Sequence, residues 1–236
     1  MPTRTFLIAT VLSASMGLPV IAAGQPFALA AREETTLGSR PGALQIGADG
    51  VAFDTKDPKH DRRWSFDEVR QVRIERSRRI VIETYQSRGW KGAGHSRTQE
   101  YRLAADISGE VVAFLLSHVA KPVVSAVQPT RSAPAALTVA VNHEGTDTAG
   151  TLALYDDGLA FETSRDGFGR FWRFADLDAV LQQDTFRLYV AAYEGSREHI
   201  RPFLFTLKQD LPLGFSDVLW QRLNRRPATP LREVSR

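Results

Sequence analysis

Among its 236 residues the chain has no cysteine. That absence rules out disulfide staples, thiolate nucleophiles, Cys-ligated metal sites and a lipid-modified N-terminal cysteine. Histidine is sparse as well: His60, His95, His118, His143 and His199 are scattered, and none sits in an HExxH spacing. His143-Glu144 lacks a second ligand one helical turn away, so no metal site is expected. There is no G-x-S-x-G elbow, and the glycine-rich stretch Gly89 to Gly94, GWKGAG, lacks the lysine and the following helix that a phosphate loop needs. No catalytic residue and no cofactor site is therefore expected, and a hydrolase is the weaker alternative because no nucleophile stands near a base.

Charge of one sign is also missing. Thirty Lys and Arg oppose 27 Asp and Glu for a net +3, although the pI is about 9.4. The densest basic run, Arg70, Arg73, Arg76, Arg78 and Arg79, is interrupted by Glu75 and followed by Glu83. It reads as a solvated strand edge, and no nucleic-acid partner is expected.

What the chain does contain is a duplication. Gly42 to Val72 recurs as Gly150 to Val180 at an offset of 108 residues without a gap. Leu44 matches Leu152, Asp49-Gly50 matches Asp157-Gly158, Phe53 matches Phe161, and Arg62-x-Trp64-x-Phe66 matches Arg170-x-Trp172-x-Phe174. The register persists at Arg79/Arg187 and Tyr85/Tyr193. Two copies make a duplicated domain and not a solenoid.

Residues 1–30 read as a secretory signal, with Arg4 ahead of an apolar stretch from Phe6 to Ala23 and cleavage after Ala22, Ala23, Gly24 or Ala30. The mature protein is then periplasmic or secreted; an uncleaved N-terminal membrane anchor is the alternative. The first domain is expected over 31–121, opening on a loose lead-in from Arg32 to Pro41. A hairpin follows around Asp49-Gly50, then strands near Trp64, Val69 to Arg76, Ile80 to Tyr85 and Glu100 to Leu103, and a helix from Gly109 stopped by Lys121-Pro122. Residues 122–135, rich in Pro, Ser, Ala and Val, read as an extended linker. The second domain, 136–225, begins with a strand at Leu137 to Val141 that the first copy does not clearly match. It ends in a helix over Leu213 to Leu223, and 226–236 is a flexible tail.

The order G-x-L-x-(I/L), D-G-(V/L)-A-F, W-x-F-x-(D/E)-(V/L), a strand pair and a C-terminal helix resembles the bacterial type of the pleckstrin-homology-like (PH/GRAM-like) superfamily. That resemblance implies a mainly β protein: two tandem PH-like barrels, each of about six to seven antiparallel strands closed by a C-terminal α-helix. It also implies recognition more often than catalysis. In phosphoinositide-binding members the loop between the first two strands carries Lys and Arg. Placed at Gly47 to Gly50 and Tyr155 to Gly158 here, that loop has acids and no basic residue.

The expected role is a non-catalytic exported binding or scaffolding protein that recognises a protein partner in the cell envelope. Its contacts would come from the first domain's long loop, at Arg88, Trp90, Lys91, His95 and Arg97, or from the groove between domains. The alternative is a peripheral adaptor that binds an anionic membrane surface through the same basic, aromatic loop. The recurrent Arg62/Arg170 and Tyr85/Tyr193 read as an arginine packed along an aromatic strand and a tyrosine anchoring a strand end.

Overall fold

A computed structural model of the chain describes residues 27–36, 38–85, 97–194 and 200–224. The first repeat runs β1 (Phe27–Thr35), β2 (Gly38–Gly47), β3 (Gly50–Thr55), β4 (Arg62–Trp64), β5 (Val69–Arg76), β6 (Arg79–Thr84), β7 (Arg97–Leu103) and α1 (Gly109–His118). A short β8 (Val123–Ser125) follows. The second repeat runs β9 (Leu137–His143), β10 (Thr148–Leu154), β11 (Gly158–Glu162), β12 (Arg170–Arg173), β13 (Leu177–Asp184), β14 (Arg187–Ala192), β15 (Arg201–Leu207) and α2 (Phe215–Leu223).

The protein is mainly β, as expected. Neighbouring strands in the first repeat are ordered β4-β3-β2-β1-β7-β6-β5, and in the second β12-β11-β10-β9-β15-β14-β13, all antiparallel. The two orders are the same under the duplication. Between them lies β8, parallel to β5 and antiparallel to β12, so the 15 strands among the described residues form one hydrogen-bonded series instead of two separate sets.

Each repeat nevertheless keeps its own core. Trp64 packs with Leu44, Phe53, Ile74 and Tyr101 in the first, and Trp172 packs with Leu152, Phe161, Val190 and Phe205 in the second. Both tryptophans are buried, as the repeat predicts. The rings of Phe53 and Tyr101 sit 4.9 Å apart, and those of Phe161 and Phe205 sit 5.0 Å apart. One aromatic contact thus recurs although Tyr101 and Phe205 are 104 residues apart, because a shorter β14–β15 connection shifts the register after the shared strands.

The polar stretch Arg32 to Pro41 is not a loose lead-in. It forms the hairpin of β1 and β2, and the first repeat's strands begin at Phe27, inside the segment expected to be signal. Consequently β1 is the counterpart of β9, and the second repeat has no additional strand. Leu29 faces Leu44 as Val139 faces Leu152, an offset of 110, so a gapless comparison at 108 misses the match. The loop joining the first two strands is accordingly at residues 36–37 and 144–147; Gly47 to Gly50 joins the second and third strands. Neither first loop contains Lys or Arg.

Glycine is needed where strands approach closely. A Cβ on Gly42 would lie 2.4 Å from the Asp54 carbonyl oxygen, and one on Gly150 would lie 2.3 Å from that of Glu162. In each case the following aromatic, Phe53 or Phe161, covers the bare backbone.

The outer faces of the two repeats have diverged. In the second, Ala153, Ala160 and Phe171 form a small apolar cluster against Leu116 of α1, Ala135 and Tyr155. At the corresponding places the first repeat has Gln45, Ala52 and Arg63, lining an open bowl of about 610 Å³. Apolar residues occupy the covered face and polar ones the uncovered face.

The segment joining the repeats is therefore packed and not freely extended. Val123, Val124 and Ser125 are buried. Gln128 donates through Nε2 to the carbonyls of Phe161 (3.2 Å) and Arg170 (3.0 Å). The Arg131 guanidinium lies 4.0 Å from the Tyr155 ring centre and 3.8 Å from that of Phe171, and it bonds Asp157 at 2.7 Å. On the other side of β8, Arg173 donates through Nη1 to the carbonyls of Leu116 (2.9 Å) and Val119 (2.7 Å) and through Nη2 to that of Lys121 (2.8 Å). It also grips Asp176 at 2.7 and 2.9 Å, so a side chain of the second repeat satisfies the open carbonyls at the end of the first repeat's helix.

Candidate binding groove between the repeats

The duplicated tyrosines stand at matching ends of matching strands. The Tyr85 N–H donates to the Glu68 carbonyl (3.0 Å) just beyond β6, and the Tyr193 N–H donates to the Asp176 carbonyl (2.9 Å) just beyond β14. Each bond ties its strand end to the short 3-10 turn before the neighbouring strand, Phe66–Glu68 or Phe174–Asp176. In the first turn Ser65 and Glu68 form a capping box, with the Glu68 carboxylate accepting from the Ser65 N–H at 2.9 Å.

Because β8 brings β5 alongside the second repeat, both tyrosines face one groove. Arg70, Gln71, Glu83, Tyr85, Lys121, Pro122 and Tyr193 line a cavity of about 330 Å³ there. The Gln71 side chain donates to the Tyr193 carbonyl at 3.3 Å and ties the two walls together. Glu83, buried on the floor, is paired with Arg73. Tyr85 and Tyr193 remain 52% and 36% exposed. The Tyr193 hydroxyl donates to Asp178 at 2.9 Å, which holds its proton above the usual phenol range.

The backbone bond ties Tyr193 to its strand end, as the anchoring reading expects, and the residue also lines the cavity with Tyr85. The recurrent arginines behave differently from one another. Arg170 bonds Glu194 (3.3 Å) and the carbonyls of Gly167 and Gly169, and Glu194 accepts the Trp172 indole N–H at 2.6 Å. Arg62 donates to the Asp61 carbonyl instead.

Of the residues predicted to form an interaction loop, Arg88, Trp90, Lys91 and His95 lie outside the described residues. Arg97 begins β7, and its side chain is likewise outside the description. Three arginines of the basic run pair with acids: Arg73 with Glu75 and Glu83, Arg78 with Asp106, and Arg79 with Glu75 and Glu100.

Among the described residues no group of three His, Asp or Glu could hold a metal ion. Among the described residues two hydroxyl–histidine pairs occur, Ser117 with His118 and Thr146 with His143, each at 2.9 Å. Ser117 Oγ also donates to the Phe114 carbonyl within its own helix, and Thr146 sits in the β9–β10 turn with Thr148. Both are local bonds, outside the groove. No described helix is long and apolar enough to cross a membrane.

No family model matches the chain, and no curated protein does. Among solved structures, the Spt16D Pob3N heterodimer is similar to it over 80% of this chain and 98% of that one, at 10% identity and a TM-score of 0.32.

Proposed function

We propose that the protein is a non-catalytic binding module of two PH-like domains and that its partner, a protein of the cell envelope, docks in the groove between the repeats. The observation that carries this reading is the convergence of Tyr85 and Tyr193, which the duplication placed on separate repeats, onto one cavity. Two exposed rings with Lys121 beside them suit a partner that offers an apolar or aromatic side chain next to an acidic one. Seven antiparallel strands followed by a helix, in the same order twice, support the PH-like assignment.

Both rings are exposed, so Tyr85→Ala with Tyr193→Ala leaves the cores intact. Affinity capture from the envelope fraction is expected to retain a partner on the wild type and lose it at least about tenfold on the double variant. Equal capture by both would remove the groove from consideration. Loss of binding to anionic vesicles on changing Trp90 and Lys91 to Ala would instead favour the membrane adaptor.

Export follows the same logic. Phe27 packs edge-on against Phe114 at 5.3 Å, and Leu29 lies against the first core. Cleavage after Ala30 would delete both, whereas cleavage after Ala22, Ala23 or Gly24 leaves β1 whole. Intact mass of the mature protein is expected to place its first residue at Ala23, Gly24 or Gln25.

A further inference from the structure

Within the chain, the first repeat's helix rests on the second repeat's outer sheet face. Leu116 of α1 packs against Ala153, Ala160 and Phe171, and the Arg131 guanidinium lies over the Phe171 ring at 3.8 Å. The duplication repeats both halves of this contact on surfaces that have no such mate among the described residues. From β7 onward the repeats match at an offset of 104 without a gap, through Tyr101 and Phe205 to the buried helix residues Val111 and Phe215, and Leu115 and Leu219. Trp220 therefore stands on α2 where Leu116 stands on α1, and it is 66% exposed.

The other half is the open bowl on the first repeat, where Gln45, Ala52 and Arg63 take the places of Ala153, Ala160 and Phe171. Arg63 is held only loosely, 3.9 Å from Asp54, and its side chain is 82% exposed. The two surfaces have changed together. Within the chain the sheet supplies an aromatic ring, Phe171, and an arginine completes the contact; in the bowl the sheet supplies the arginine, and α2 carries the ring. At about 610 Å³ the bowl has room for an indole, and Gln45 and Asp49 on its wall can accept the indole N–H. The placement that carries the first repeat onto the second, applied once more, leads beyond the second repeat, so the bowl that meets Trp220 belongs to another copy.

We propose that copies of this chain associate head to tail: Trp220 of one copy enters the first-repeat bowl of the next and stacks on Arg63, repeating between chains the junction that α1 makes within one. The contact is reversible. Ser65 stands where Arg173 clasps the carbonyls of α1, so that clasp has no equivalent, and the bowl's polar wall is stable in water when empty. Because the two sides use different surfaces, association does not stop at a pair.

Sedimentation velocity of the purified protein between about 10 and 500 µM tests this. The weight-average sedimentation coefficient is expected to rise with concentration past the value of a dimer, because every added copy brings a free bowl. Trp220→Ala removes one end and Ala52→Arg fills the other. Each variant alone is expected to remain monomeric, and an equimolar mixture to form a dimer and nothing larger. Arg63→Glu, at an exposed position, blocks the same end should Ala52→Arg fail to fold. A wild type that stays monomeric over this range overturns the proposal, as does a plateau at the dimer, which marks a two-fold contact. Association that survives Trp220→Ala, or a mixture of the two variants that stays monomeric, overturns it too.

Discussion

Replacing Arg173 by Ala tests whether the two repeats are held by the contact described above. The guanidinium makes two bonds to Asp176 and three to carbonyls at the end of α1, and its side chain is 19% exposed. Asp176 is 4% exposed, and burial already pushes its carboxyl above the usual range despite the arginine and the Val123 N–H. Removing one partner of a buried ion pair costs about 3–5 kcal/mol, because the other is left charged in a place water reaches poorly. Urea unfolding followed by tryptophan fluorescence is expected to show a loss in that range at neutral pH. Asp176→Asn should relieve much of it in the double variant, giving a coupling of about 2 kcal/mol.

The pH dependence has a definite sign. A carboxyl whose folded pKa is raised contributes stability below its unfolded pKa and loses it as pH rises through the folded value. Without Arg173 that folded value rises further, so the deficit of the single variant should shrink as pH falls toward the carboxylate range. A loss below about 1 kcal/mol, or strict additivity of the two substitutions, would refute the view that this pair is a joint and make it an ordinary surface contact.

Two more outcomes follow from the packing. His143, half-buried beside Phe203 and Phe205 at 5.5 and 5.1 Å, has its pKa lowered, first by burial and then by Arg170 and Arg201. Its contribution is present above the ordinary histidine value near 6.5 and is lost as pH falls toward the folded one, so His143→Phe should flatten the fall in Tm between about pH 7 and 5. Gly42→Ala and Gly150→Ala should each destabilise by about 1–3 kcal/mol or more in thermal or urea unfolding, because a backbone carbonyl cannot yield as a flexible side chain can. Tolerance of either within about 0.5 kcal/mol would mean the strand crossing is looser than it stands.

The second half of β2, the strands from β3 to β6, their counterparts and both helices were legible because alternation and recurrence speak together there. The first strand was hidden: Phe27 to Thr35 is rich in Ala and Glu, follows a signal-like run, and matches β9 only after a two-residue shift. β8 was hidden by the prolines around it, at 122, 129 and 134, which read as a linker while Val123, Val124 and Ser125 are buried between β5 and β12. The groove could be named in advance but its lining could not, since the meeting of Tyr85 with Tyr193 depends on where β8 pulls the second repeat. Recurrence marked those tyrosines; only the strand pairing brought them together.

The parallel step at β8 also bears on the order of assembly. Val123 belongs to the first core, while Ser125 offers its outer backbone to Phe171 of β12. A nascent chain synthesised as far as Ser125 already holds every buried residue of the first core, so that half can close early and present a finished backbone rail to what emerges next. A circular permutant opened between the two halves would break that sequence of events, leaving the later half to fold with no rail laid down ahead of it.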